Sequence, residues 1–219
     1  MRKENFISII MSVYNTEFSL IKRAIDSVLN QDFQNFELIV IDDGCLLGNQ
    51  NALNNYCIKY QNKITYLRHA NCGQSESTNK GILISNGNFI TFIDSDDEYK
   101  ANHLSACLTE IQGYDLIAST TENIVNENDD FFVPDKYNNQ NVIHIDDCIL
   151  FATLFGKRKV FTNIKFEKKY AADAHFFEEA SSIFKVKKVN LRTYIYYRNV
   201  ANSVSALLKK KFLTNSNFS

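Results

Sequence analysis

Three short apolar runs in this chain each stop at a cluster of small polar or acidic residues. Phe6–Val13 ends at Tyr14-Asn15, Phe36–Ile41 at Asp42-Asp43, and Phe89–Ile93 at Asp94-Ser95-Asp96-Asp97. Unbroken apolar runs of this length suit strands buried on both faces. Helical periodicity lies between them: Phe18, Ile21, Ala24, Ile25, Val28 and Leu29 recur at helix spacing. Leu53–Tyr60 and Ser77–Ser85 continue the pattern as helices, the second closed by Asn86-Gly87, with Ile64–Arg68 as a strand. His103–Ile111 reads as a helix and Asp115–Ser119 as a further strand. This alternation predicts a single α/β fold, a mainly parallel sheet with helices on both faces. Ligands of such sheets bind at the carboxyl ends of the strands, so the polar clusters converge on one rim if their strands are neighbours.

The second half is less regular. Glu122–Asn141 is polar, holds the only proline (Pro134), and reads as a long irregular excursion. Asp146–Phe155 is expected as a helix, Gly156-Lys157-Arg158-Lys159 as a basic loop, Asp173–Phe184 as a helix and Val189–Arg198 as a strand. Residues 207–219 form a basic, then polar, tail.

With 219 residues and 45% apolar content the chain can bury one substantial core. No apolar run approaches the roughly 18 residues of a membrane-spanning helix. The eight-residue run behind the basic start lacks a leader-type cleavage site and reads as a buried strand. Five scattered cysteines without a C-x-x-C pair fit a reduced, cytoplasmic protein. Charge is unevenly spread: residues 1–155 carry 10 Lys+Arg against 21 Asp+Glu, a balance of −11, and residues 156–219 carry 14 against 4, a balance of +10. The plain reading is solvated surface charge. The sharper one is that the C-terminal third meets an anion: a diphosphate, an acidic acceptor or a lipid headgroup, with Lys209-Lys210-Lys211 in weak peripheral contact with the inner face of an anionic membrane. No nucleic-acid motif accompanies the basic residues, so nucleic acid is not an expected partner.

Asp94-x-Asp96 at a strand end suits one hard divalent cation, Mn²⁺ or Mg²⁺, shared with a diphosphate. Without a cation, crowded carboxylates repel one another and their pKa values rise; a solvated acidic turn is the competing reading. No G-x-x-x-x-G-K-[ST] or G-x-G-x-x-G cradle occurs, so side chains and a metal would have to hold any nucleotide phosphates.

Ile7-Ser8-Ile9-Ile10-Met11-Ser12-Val13-Tyr14-Asn15 resembles the opening strand of family 2 glycosyltransferases, which have the GT-A fold. Phe36–Gly44 and Gly87–Asp97 resemble the family's next two signatures, in the same order and spacing, and Asn71-Cys72-Gly73 through Asn79-Lys80-Gly81 fits the loop and helix between them. The resemblance is strong over residues 6–120 and weaker over 160–205. It implies a single GT-A domain whose residues 1–120 bind a nucleotide-sugar donor and whose residues 121–206 form the side that meets a saccharide or lipid-linked glycan acceptor. By the same resemblance Ser12, Val13, Tyr14 and Asn15 line the nucleotide pocket. Asp43 accepts from the base with Asp42 supporting the turn, Asn79 and Ser95 belong to the donor side, Asp94 approaches the ribose, and Asp96 binds the metal. Asp173 is the expected general base, taking the acceptor hydroxyl's proton for an inverting displacement; a plain helix N-cap is its other reading. Arg198, ahead of Asn202-Ser203-Val204-Ser205, resembles the family's closing strand and would clamp the diphosphate.

Several positions depart from the family pattern. Ala172 stands where Glu is usual and Thr78 where Arg is common, and prolines are absent at Met11-Ser12-Val13 and at Ala101. Lys80 or Lys157–Lys159 are the candidates to replace the lost charge. The expected activity is metal-dependent transfer of a UDP-linked sugar with inversion, in surface polysaccharide or glycan synthesis. The alternative is a catalytically degenerate donor-binding or partner-binding module on the same fold.

Overall fold

The computed structural model describes residues 5–137, 141–167 and 171–199. Its first half is strand–helix alternation: β1 (Ile7–Val13), α1 (Phe18–Leu29), β2 (Phe36–Asp42), α2 (Leu47–Lys59), β3 (Ile64–Arg68), α3 (Gln74–Ile84) and β4 (Phe89–Phe92). Then come β5 (Glu98–Tyr99), α4 (His103–Glu110), β6 (Leu116–Ile124), the strand pair β7 (Phe132–Pro134) and β8 (Val142–His144), β9 (Leu154–Lys157), α5 (Arg158–Asn163), α6 (Ala172–Ile183) and β10 (Val186–Tyr197).

Eight strands form one sheet in the order β3-β2-β1-β4-β9-β6-β10-β5. β1 pairs in parallel with β2 and β4, β2 with β3, and β6 with β10, while β9 runs antiparallel between β4 and β6. The sheet is therefore mainly parallel, and the three strands with polar ends, β2, β1 and β4, are neighbours. Alternate residues of β1 face opposite sides: Ile9, Met11 and Val13 pack under α1, α2 and α4, and Ile10 under α3, α5 and α6. α1 presents Ile21, Ala24, Ile25 and Val28 to the first face. Gly81 of α3 lies so close to β1 that a Cβ there would meet Ile10 Cγ2 at 2.6 Å.

Two sequence expectations fail in the second half. Asp146–Phe155 is not a helix but two short 3₁₀ turns, Ile145–Asp147 and Phe151–Thr153, leading into β9. A short apolar run does not reveal its period by composition; here Leu154, Phe155 and Gly156 are buried on both faces between β4 and β6. Gly156–Lys159 is likewise no loop, but the end of β9 and the start of α5. Because β9 runs antiparallel, with Lys157 opposite Phe89 at the start of β4, this basic segment sits at the rim opposite the acidic cluster. Lys157 and Lys159 both pair with Asp115 there, at 2.9 and 2.8 Å, so they cannot supply charge to a donor diphosphate. The tail, Lys209-Lys210-Lys211 and Asn202–Ser205 lie outside the described residues. Among the described residues no helix is long and apolar enough to cross a membrane.

Candidate active site

The ends of β1, β2 and β4 are laced together. Asn15 has φ 51°, a left-handed conformation Asn tolerates well. This turns its side chain to accept from Leu46 N–H at 3.0 Å, while its own N–H meets Cys45 Sγ at 3.3 Å. Asp43 N–H donates to Val13 carbonyl at 2.9 Å. One residue on, Thr16 and Ser95 hydroxyls share a 2.7 Å bond that ties this rim to the acidic turn. Ser12 is half-buried in β1 and the Tyr14 ring is exposed at the rim.

Asp42 and Asp43 point to different tasks. Asp42 is fully buried and accepts from Cys45 N–H at 2.7 Å and Tyr66 hydroxyl at 2.5 Å, with Arg68 at 3.6 Å. Burial works against its charge, but these partners outweigh it and hold its carboxyl below the usual range. Asp43 organises the loop after β3: its carboxylate accepts from Cys72 N–H at 2.7 Å, Gly73 N–H at 2.9 Å and the Asn71 amide at 3.1 Å. Gly44 between the strand end and this loop has φ +82°, and a Cβ on it would strike Asn71 N at 2.8 Å.

Asp94, Ser95, Asp96 and Asp97 leave β4 in a tight turn. Asp97 faces inward, where it accepts from Tyr194 hydroxyl at 2.7 Å and Tyr197 N–H at 2.8 Å, so the third carboxylate of the cluster is structural. Tyr194 oxygen in turn accepts from Asp94 N–H at 3.1 Å. Asp94 is touched by the Gln74 amide at 3.0 Å. Its carboxyl is pushed up to about 7 by burial, then by the charges of Asp96 and Asp173. Burial also raises Asp96. Two crowded carboxylates with hard oxygen donors fit a divalent cation such as Mn²⁺ or Mg²⁺. A second cluster, Asp43, His69 and Cys72, brings O, N and S donors within 4.8 Å of one another. It fits less well: the Asp43 oxygens already accept three bonds, His69 Nδ1 lies 2.7 Å from Ala70 carbonyl, and Lys80 Nζ lies 3.5 Å from the Cys72 sulfur.

Asp173 is the second residue of α6, whose N-cap is Ala171 in a left-handed conformation, so Asp173 does not cap this helix. Its oxygens accept from Phe151 N–H at 3.0 Å and from Ala174 N–H at 2.8 Å. Burial raises its carboxyl above the ordinary range despite those bonds. α6 is fixed to β4 by stacked and edge-on rings: Phe92 with Phe151 at 4.6 Å, Phe151 with Phe166 at 5.0 Å, Phe166 with Phe176 at 4.3 Å. Phe92 lies two residues before Asp94 and Phe176 three after Asp173, so one aromatic cluster sets both carboxylates.

The remaining expected residues sit further out. Asn79 spends both ends of its amide on the Phe166 backbone, at 2.9 and 3.1 Å. Arg198 is 8% exposed and its guanidinium donates to Phe132 carbonyl at 3.4 Å. Thr78 is buried on α3. Gln74, Thr16, Tyr194 and Arg23, which also contact the acidic turn, were not expected from the sequence.

A mainly parallel sheet with an Asp-x-Asp turn on its carboxyl rim, facing a helix-borne carboxylate, has the form of a GT-A glycosyltransferase domain. The chain belongs to glycosyl transferase family 2, whose model matches residues 8–176. Glycosyltransferase GlyA of Streptococcus pneumoniae serotype 4 is 23% identical over 236 residues, covering 97% of this chain and 33% of that protein. The poly(ribitol-phosphate) beta-glucosyltransferase of Bacillus spizizenii is 38% identical over 94 residues, 42% of this chain and 15% of that protein. This chain thus spans a third or less of these two relatives. Among solved structures, S. aureus TarS 1-349 in complex with UDP-GlcNAc superposes with TM-score 0.70 at 20% identity, over 92% of this chain and 60% of that one. The mannosyltransferase PcManGT from Pyrobaculum calidifontis, in complex with GDP-Man and Mn²⁺, gives TM-score 0.70 at 14% identity, over 97% and 64%.

Proposed function

We propose that this chain transfers a sugar from a UDP-linked donor to an acceptor hydroxyl, inverting the anomeric centre, in surface polysaccharide or glycan synthesis. The observation that carries this reading is the juxtaposition of Asp94 and Asp173. Asp94 follows β4 and Asp173 lies on α6, which the rings of Phe92, Phe151, Phe166 and Phe176 join, and the charge of Asp173 helps raise the Asp94 carboxyl. A donor side and a base side brought close together are what a single in-line displacement requires.

Asp96, with Asp94 beside it, would hold Mn²⁺ or Mg²⁺. A cation bound there neutralises the charge that builds on the leaving diphosphate. Ser12 to Asn15 would line the nucleotide, with exposed Tyr14 offering its ring to the base and Asp43 holding the loop against which the base lies. Asp94 and Ser95 would meet the ribose. Asp173 would take the proton of the acceptor hydroxyl, and its raised carboxyl makes it a better base than an ordinary aspartate. Arg198 would act on the diphosphate only after leaving the Phe132 carbonyl. The UDP-GlcNAc held by TarS and the GDP-Man and Mn²⁺ held by the mannosyltransferase support a nucleotide-sugar and metal in this fold. One observation favours the second reading, a donor-binding module without turnover: buried Thr78 brings no charge to the rim.

A thermal-shift screen of nucleoside diphosphates and nucleotide sugars, with and without Mn²⁺, tests the proposal. A ligand at 100 times its Kd adds about 2.7 kcal/mol to stability. UDP or a UDP-sugar should raise the melting temperature, and only with Mn²⁺. No shift with any nucleotide would overturn the proposal, and a shift without sugar turnover would select the module reading.

A further inference from the structure

We propose that Arg23, on α1, is a positioning residue for the metal-binding turn and ties the end of β10 to it; this rests on the reading that Asp96 holds the cation. Arg23 Nη2 donates to the backbone carbonyl of Asp96. Its guanidinium carbon lies 3.7 Å from the centroid of the Tyr197 ring, and its Nε is 3.5 Å from Glu98 Oε2. Tyr197, the last residue of β10, closes the loop: its N–H donates to Asp97 at 2.8 Å and its hydroxyl to Glu98. Asp96 is thus held by Arg23, Asp97 by Tyr194 and Tyr197, and Glu98 by both Arg23 and Tyr197, in a ring of contacts running Arg23, Asp96, Asp97, Tyr197, Glu98 and back.

The chemistry requires arginine. A planar guanidinium can stack on a ring and donate from its edge at the same time, whereas an ammonium cannot do both in one pose. Fixing the Asp96 carbonyl fixes the peptide that follows the ligand, and with it the direction of the Asp96 carboxylate. Partners one shell behind a metal ligand set its affinity in this way. The sign of the effect separates positioning from simple charge. Removing a cation close to a metal site strengthens metal binding by Coulomb's law alone. Loss of a brace weakens it.

The experiment is a Mn²⁺ titration in the presence of UDP, with free Mn²⁺ read by electron paramagnetic resonance, on wild type, Arg23→Met and Arg23→Lys. Circular dichroism of each variant reports the fold. Arg23→Met should raise the Kd for Mn²⁺ by about tenfold or more, the range for lost support behind a ligand. Arg23→Lys should recover part of that loss. Mn²⁺ binding by Arg23→Met as tight as wild type, or tighter, would overturn the proposal. If Arg23→Met does not fold, Arg23→Lys decides, since a wild-type affinity there would also overturn it. A wild-type chain that binds no Mn²⁺ in the presence of UDP would instead overturn the metal assignment itself.

Discussion

At the residue scale the acidic turn divides its labour by orientation. Asp97 is spent on Tyr194 and Tyr197, leaving Asp94 and Asp96 as the candidate metal ligands of the turn. Asp94 carries a consequence for pH. Its folded carboxyl lies at about 7 against an ordinary 3.8, and Asp96, Asp97 and Asp173 are pushed the same way. Between those two values the folded chain keeps a proton that the unfolded chain has lost. Asp42 and Asp115 are shifted down and act the opposite way only through the ordinary carboxylate range, so the metal-free protein should lose stability as pH rises from about 5 to about 7, and saturating Mn²⁺ should flatten the trend. Melting curves across this range check it; a flat or rising metal-free profile would contradict it. Asp43 offers a second test. Asp43→Ala should weaken UDP binding by about 1–3 kcal/mol, the cost of orphaning buried partners, measured by calorimetry; unchanged affinity would remove Asp43 from the site. Contiguous residues at a strand end, such as Asp94 to Asp96, were legible because one local pattern holds them. Arg23 and Tyr194 were not, since their partners in the turn lie 73 and 100 residues away in sequence and no local spacing marks them.

At the element scale, period decided what could be read. α1 was legible because its apolar residues keep one period from end to end, and it spans the residues the spacing predicts, Phe18–Leu29, while β1 was legible as an unbroken apolar run stopped at Tyr14-Asn15. The run ending at Phe155 is short, apolar and without period. Only its insertion between β4 and β6 makes it β9. β5 escaped notice because two residues, Glu98–Tyr99, leave no pattern. The aromatic cluster is the element-scale device with most effect on function, since it sets α6 against β4. Phe176 is 2% exposed and stacks on Phe166 and Phe161. Phe176→Ala should cost about 3–5 kcal/mol by denaturant unfolding. A loss under about 1 kcal/mol would show that α6 is held by other contacts.

At the scale of the whole molecule, some of the opposed charge of the two halves meets in ion pairs among the described residues. Lys157 and Lys159 pair with Asp115, Lys187 with Glu110, and Arg192 with Asp146. These four basic side chains are 41–54% exposed, so the pairs neutralise charge at the surface of the described residues. The sheet runs without a break from β3 to β5, so donor rim and base helix belong to one frame. The most direct measurement of that account pairs two readings on Asp173→Asn: UDP-sugar binding in Mn²⁺, and transfer to an acceptor. The Asn oxygen can keep only one of the two bonds to Phe151 and Ala174, so donor binding also serves as the check that the site has survived. The account predicts donor binding close to wild type and transfer slower by about 100-fold or more, as expected for loss of a general base. Near-normal transfer by a variant that binds donor normally would contradict it.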